Sequence, residues 1–326
     1  MRGRLHPALP GEGATLAPMI DMKPSYLNLT DSSWKKRIEE AYSLLEGCRV
    51  CPRVCGVNRL ADERNGICKS GLRPVVASYN IHMGEEPSIS GTRGSGTIFF
   101  TNCNMRCVFC QNYPISQLSS GNEVEVEHLA RMMCSLKERG CHNINLVTPS
   151  HFVPQIIKAV SLAKEDGLDI PIIYNTSGYD SLDSLKLLEG IIDIYLPDMR
   201  YADKGYSLRY SGAANYPVVN RADVKEMYRQ VGDLIIEEGI ARRGLIIRHL
   251  ILPNNISGTD EVMKFISSEL SKEVYISLMD QYFPAYKADN IPELSRRITK
   301  EEYDRGFNQM TACGLENGWV QEHIGA

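Results

Sequence analysis

From residue 95 onward, short apolar runs alternate with longer amphipathic ones. Residues 97–101 form a near-continuous apolar run that reads as a buried strand. Over 126–139, Leu129, Met132, Met133 and Leu136 recur at helical spacing. The alternation continues with a strand at 143–148 and a helix at 153–165 carrying Ile156, Ile157 and Val160 on one face. A strand at 171–175 precedes a helix near 183–189, and a strand at 191–196 precedes a long helix at 222–238. A strand at 245–250, a helix at 259–270 and a sixth strand at 274–278 follow. A helix over 299–316 closes the series, with Thr299 and Glu302 set as a capping box. Six strand–helix repeats with continuous apolar strands predict an α/β fold, a parallel sheet covered by helices. Six strands fall short of a closed eight-stranded barrel. An open, curved three-quarter barrel fits, with a doubly wound open sheet as the runner-up. In either, the chemistry belongs at the carboxyl ends of the strands.

The chain has 326 residues, enough for one large domain or one and a half. Its net charge is −4, with acidic and basic residues interspersed. The absence of a basic stripe argues against nucleic acid, and no apolar run approaches membrane-spanning length. Residues 1–25 are broken by Pro7, Pro10, Gly11, Gly13 and Pro18, and read as a disordered or loosely packed lead-in rather than a signal peptide. Ten cysteines without an export signal fit a reducing, cytoplasmic setting.

Seven of those ten lie between Cys48 and Cys110, whereas Cys134, Cys141 and Cys313 read as small buried hydrophobes. Cys103, Cys107 and Cys110 follow the first strand as Cys-x3-Cys-x2-Cys, in a loop crowded with Asn102, Asn104, Arg106, Gln111 and Asn112. Tetrahedral zinc or an ordinary four-iron cluster wants a fourth thiolate. A trio leaves one iron with an open position, where a small molecule can bind and be broken. Cys48, Cys51, Cys55 and Cys68 form a second set within twenty-one residues, with Pro52, Gly56 and Gly66 supplying turns. Four thiolates satisfy a closed zinc site or a four-iron cluster, and spacing does not decide between them. Either would be structural or electron-transferring, with Arg49, Arg53 and Arg59 offsetting thiolate charge.

The stretch Ser-Gly-Thr-Ile-Phe-Phe-Thr-Asn-Cys-Asn-Met-Arg-Cys-Val-Phe-Cys-Gln-Asn at 95–112 resembles the cluster loop of radical S-adenosylmethionine (SAM) enzymes. Among them it is most similar to the pyruvate formate-lyase activating enzyme group, and within that to an uncharacterised activase-like branch with a cysteine-rich N-terminal segment. The resemblance runs from about Tyr26 to Tyr286. It implies an open partial (β/α)6 barrel over 95–286, a cysteine-rich segment over 26–94 and a C-terminal helical extension over 287–326. It also implies a [4Fe–4S] cluster on Cys103, Cys107 and Cys110, with SAM chelating the open iron. Reductive cleavage of SAM would leave methionine and a 5′-deoxyadenosyl radical, which takes a hydrogen from the substrate. The implied substrate is a protein or peptide, with a backbone glycine of a glycyl radical enzyme foremost. The implied electron donor is of flavodoxin or ferredoxin type.

The same resemblance implies site residues at the strand ends. Phe109 would pack on the adenine. Thr148-Pro149-Ser150-His151 stands where a Gly-Gly-Glu motif usually holds the SAM amino group, with His151 near the acid's place and Ser150 beside it. Asn175 and Ser177 lie in a polar turn similar to one that touches the SAM carboxylate or ribose. Asp198-Met199-Arg200 looks like the family's Asp-x-Lys element, suited to ribose hydroxyls or to a partner's backbone. Arg248 is implied at the SAM carboxylate, where a guanidinium fork gives two parallel bonds. His249 falls on the opposite strand face and carries no role. Residues 280–284 are a polar-aromatic edge at the substrate mouth, and His82-Met83-Gly84-Glu85-Glu86-Pro87 also resembles the activase-like branch, with no role derivable from the residues. Two alternatives stand beside this reading: another radical-based protein modification, and a non-catalytic zinc- or iron-sulfur-binding adaptor. If the second cysteine set lies remote from the first, Cys51→Ala spares SAM cleavage.

Overall fold

The computed structural model describes residues 22–320. Along the chain come α1 (Asp31–Ser43), β1 (Val75–His82), α2 (Pro87–Ser90), β2 (Ser95–Phe100), α3 (Tyr113–Ser116), β3 (Asn122–Glu123), α4 (Val126–Glu138), β4 (Ile144–Val147), α5 (Val153–Glu165) and β5 (Ile172–Thr176). There follow α6 (Leu182–Leu188), β6 (Ile194–Pro197), α7 (Lys204–Ser211), α8 (Tyr216–Val231), β7 (Ile235–Glu237), β8 (Ile240–Leu250), α9 (Thr259–Glu269), β9 (Tyr275–Met279), α10 (Lys300–Ala312) and β10 (Gly318–Val320).

The strands join in the order β10-β9-β8-β6-β5-β4-β2-β1-β3. The six expected strands, β2, β4, β5, β6, β8 and β9, are neighbours in chain order and all parallel. A doubly wound sheet would reverse its strand order partway, so the open partial barrel is the correct alternative. The strands flanking these six were not expected, nor was the two-residue β3, which pairs with β1 and ends the order on that side. β1 pairs antiparallel with β2 on one side, and β10 pairs parallel with β9 on the other.

The strands bury both faces. Ile144, Leu146, Ile172, Tyr174, Tyr195, Leu245 and Ile247 join the large core beneath the helices. Ile173, Ile194, Leu196 and Ile246 point the other way and close on Ile89 of α2 and on Ala241, forming a separate small cluster inside the barrel. The short helix α2 therefore plugs the barrel interior. Continuous apolar strands are what this double burial requires.

Several expected boundaries need correction, among them the starts of the long helix, at Tyr216, and of the fifth parallel strand, at Ile240. The long helix stops at Val231 rather than 238: Gly232 leaves the helix at φ 70°, its N–H caps Tyr228 O at 2.7 Å, and the chain turns through Glu238 and Gly239, both at positive φ, into the β7–β8 hairpin. The closing helix ends at Ala312, before Gly314 at φ 72°, so the C-terminal segment adds a strand as well as a helix. Its start matches expectation, with the Thr299–Glu302 capping box formed. Of the expected loose lead-in, residues 1–21 lie outside the described residues. Ser25 is docked, donating its N–H to Asp193 Oδ1 at 2.7 Å, and Tyr26 beside it is wholly buried. Among the described residues no helix is long and apolar enough to cross a membrane.

Candidate cluster and cofactor site

The loop that follows β2 is held open by other elements. Asn102, at φ 71°, turns the chain off the strand, and its N–H donates to Ile115 O. Arg106 N and Val108 N donate to Ser211 O at 3.0 Å and Tyr210 O at 2.8 Å, pinning the loop to the end of α7. Asn104 Nδ2 donates to Tyr179 O at 2.6 Å. Each of the three sulfurs then meets a polar neighbour. Met105 N donates to Cys103 Sγ at 3.3 Å, and Ser116 Oγ lies 3.0 Å from Cys110 Sγ. Cys107 Sγ receives Ser211 Oγ at 3.0 Å and the Arg200 guanidinium at 3.1 Å. Burial pushes the Cys103 and Cys110 thiols up, and the neighbouring Cys107 raises both further.

This donor set fits the cluster that the spacing implies. Three thiols stand in one loop, with Cys107 close enough to raise the other two, and a half-buried cation stands beside this middle one to balance thiolate charge. Among the described residues no three His, Cys, Asp or Glu side chains gather around a point that would hold a single metal ion. A four-iron cube spreads its thiolates one to an iron, so the loop needs no such convergence.

The implied SAM residues fall into distinct environments. Phe109 is buried and meets Tyr201 and Tyr282 edge-on, with ring centroids 6.4 and 5.8 Å away. Ser150 Oγ lies 3.0 Å from Thr176 Oγ1, which donates to Asp180 Oδ2 at 2.6 Å, so Ser150 belongs to a buried network beneath the strand ends. Asn175 is buried at the end of β5, and Ser177 Oγ just beyond it is buried without a protein partner. Asp198 caps β6 and is gripped by two guanidinium groups, Arg248 Nε at 2.9 Å and Arg200. Burial opposes its charge, yet Arg248 and Arg200 hold its carboxyl below the usual carboxylate range. An arginine in so apolar a strand needs a partner, and the one Arg248 has is the buried Asp198.

His151 does not stand in the acid's place. It is wholly buried, with Nε2 2.9 Å from Thr101 O, and burial lowers its pKa to about 3. A neutral ring donating to a carbonyl is a packing role. His249 likewise pins β8 to its surroundings through Met199 O at 2.6 Å and Thr259 Oγ1 at 2.9 Å.

The second cysteine set lies against the first. Tight turns fold it: Cys48 N donates to Val57 O, Gly56 N to Cys48 O, Val54 N to Cys51 O and Lys69 N to Gly66 O. Cys48, Cys51 and Cys68 are buried, whereas Cys55 is half-buried. Burial pushes the Cys51 thiol up to about 12; Cys68 and Cys48 add to this, and a hydrogen bond with the Asn104 side chain opposes it. Asn104 adjoins Cys103, so the two sets share a boundary and the second is not remote. Arg53 and Arg59 serve as clamps there. Arg53 Nε donates to Asn104 O at 2.7 Å, and Arg59, wholly buried, donates to Gly71 O at 3.0 Å and His151 O at 2.7 Å.

Sequence reasoning missed the Arg200 and Ser211 contacts to Cys107, the Asn104 bridge and the Arg59 clamp. An arginine two residues after Asp198, just past a strand end, was the available signal for Arg200. Ser211 and Arg59 carried none, because their partners are far away in the chain.

A family model described as the radical SAM superfamily matches residues 97–266. An uncharacterised protein of Methanocaldococcus jannaschii is 30% identical over 305 residues, covering 90% of this chain and 81% of its own length. Among solved structures, Streptococcus suis SuiB bound to S-adenosylmethionine superposes with TM-score 0.48 at 10% identity, over 68% of this chain and 48% of its own. HydG, a maturase of the [FeFe]-hydrogenase, gives TM-score 0.46 at 10% identity, over 90% of this chain and 63% of its own. The chain therefore spans less than two thirds of either structure. The cluster loop at the carboxyl end of an open parallel barrel and the family match over that same region lead to one conclusion: this chain belongs to the radical SAM superfamily.

Proposed function

We propose that this enzyme generates a radical on a protein partner, with the backbone glycine of a glycyl radical enzyme as its target. When bound, a [4Fe–4S] cluster and SAM supply one-electron cleavage of the sulfonium and a 5′-deoxyadenosyl radical. Cys103, Cys107 and Cys110 would hold the cluster, and Arg200 and Ser211 would steady the Cys107 thiolate by charge and hydrogen bond. Asn175, Ser177, Asp198 and Arg248 would orient SAM, with Ser150 behind them and Phe109 walling the site. The cysteine-rich segment 26–94 would form a cap that carries a second metal centre at Cys48, Cys51, Cys55 and Cys68, ahead of the barrel at 95–286 and the extension at 287–326. A flavodoxin- or ferredoxin-type protein would supply the electron in the cytoplasm.

The observation that carries this reading is the three-cysteine loop at the mouth of a sheet that does not close. An open barrel leaves side access for a segment of another chain. Anaerobically reconstituted protein with dithionite and SAM should yield 5′-deoxyadenosine, and Cys107→Ala should yield none. Adding a glycyl radical enzyme from the same organism should then give the doublet electron paramagnetic resonance (EPR) signal of a glycyl radical. A radical signal on any other residue of a protein partner favours the second reading, a different radical-based protein modification.

A further inference from the structure

Two asparagines sit two residues apart at the start of β4, and only one has work within the fold. Asn143 is fully engaged, accepting from Ser95 Oγ at 2.6 Å and donating to Ile89 O at 2.8 Å. Asn145 is wholly buried, yet neither its Nδ2 nor its Oδ1 has a partner. Register places it beside Thr97 of β2 and Ile173 of β5. Ile173 belongs to the cluster inside the barrel, so Asn145 faces the interior. Buried polar groups are almost always paired, and an orphaned amide calls for an explanation.

Other unpaired groups face the same interior. Glu86 Oε2 and Ser88 Oγ belong to the α2 segment whose Ile89 plugs the barrel, and both are buried without partners. Glu86 faces Arg248 and hydrogen-bonds Ser277, and these two stand side by side on β8 and β9. This gives the His82-to-Pro87 stretch a place in the molecule: it delivers an acid to the barrel interior. The inward cation Arg248 is bound to Asp198 and faces Glu86, so among the described residues its charge is already balanced by two acids before any substrate group enters. A planar amide shows an acceptor beside a donor, and a second amide matches both.

We propose that Asn145 is the seat of a neutral amide of the substrate, a peptide bond or carboxamide, held inside the barrel below the cluster loop. This rests on the reading of the substrate as a protein segment, and names the side chain that holds it. The test uses full-length, cluster-reconstituted protein with SAM and no reductant, with N-acetylglycinamide as probe, read by saturation-transfer NMR. The wild type should show a saturable signal, and Asn145→Leu should weaken binding at least tenfold. Asn145→Leu should also melt at or above the wild-type temperature, because it removes an orphaned amide from an apolar wall. Asn145→Thr, which suits a strand, should lose binding in the same way if leucine overpacks. A wild type with no saturable signal up to the solubility limit of the probe overturns the proposal, as does unchanged binding in the folded variants. A melting temperature several degrees lower in both variants also overturns it, since the amide would then be held by structural water. Equal binding of N-acetylalaninamide supports the seat and counts against glycine as the residue it serves. A glycyl radical formed at full yield by Asn145→Leu sinks the seat and leaves activation standing.

Discussion

Replacing Arg59 by methionine removes the clamp between the cysteine-rich segment and the barrel. The side chain is wholly buried, donates to Gly71 O at 3.0 Å and His151 O at 2.7 Å, and lies 5.5 Å over the Phe152 ring. Each hydrogen bond from a charged donor contributes about 1.5–3 kcal/mol, and the ring contact about 1 kcal/mol. Relief from burying a cation offsets part of this. Two carbonyls left without donors restore much of the loss, for a net destabilisation of about 3 kcal/mol. At about 2–4 °C per kcal/mol, the melting temperature should fall by about 6–12 °C. Methionine keeps the length and apolar contact of the stem, so the effect reports the guanidinium. Circular dichroism melts of the metal-free protein read the global loss. Hydrogen-exchange mass spectrometry should show the damage concentrated over 48–72, with β5 and β6 protected as before. A fall of less than 2 °C, or unchanged exchange over 48–72, would refute the clamp.

The two buried histidines set a pH dependence. His151 and His249 are neutral in the fold, lowered by burial to about 3 and about 4, so below their ordinary value the unfolded chain takes up protons that the folded chain refuses. Stability therefore falls as pH drops, by about 2 kcal/mol between pH 6 and 5 for the pair, and His151→Gln should roughly halve that slope in urea titrations. Arg200→Met should leave the fold intact but lower the yield of iron per chain on reconstitution, since Cys107 loses a charged donor; iron retention equal to wild type would show that Arg200 does not support the thiolate. Triple alanine replacement of Cys103, Cys107 and Cys110 should leave metal on the second set, about four irons per chain if it holds a cluster and one zinc if it is tetrahedral. Further replacement of Cys51 should remove that metal, and metal-free protein in the triple variant would contradict a second centre. Because Asn104 links Cys51 to the cluster loop, Cys51→Ala alone should slow SAM cleavage several-fold, and an unaffected rate would mean that the contact is passive.

How much of this was legible in the sequence depended on distance along the chain. The six parallel strands announced themselves because strands buried on both faces are apolar at nearly every position, as in Ile172 to Tyr174. β1 was missed because it lies outside the parallel strands, flanked only by the two-residue β3, with Ser78, Tyr79 and Asn80 exposed, and its polar middle obscures any period. The run Leu234-Ile235-Ile236 reads equally as helix or strand, and only the positive φ of Gly232 decides it. The cluster cysteines were legible because their spacing is local. The groups that tune them were not: Ser211 reaches Cys107 across 104 residues and Arg200 across 93. His151 was misread because its position beside the site was visible but its burial was not. Asn145 looked like one more polar residue in a strand, and only the inward register marks it out.

The account turns on an iron atom that polypeptide sulfur does not cap. Electron-nuclear double resonance on the reduced, anaerobic protein mixed with SAM labelled by nitrogen-15 at its amino group tests this directly. A hyperfine coupling between that nitrogen and the cluster, retained in Cys51→Ala and absent from Cys107→Ala, is the predicted result. A paramagnetic cluster in intact protein that shows no coupling to the labelled nitrogen would contradict it.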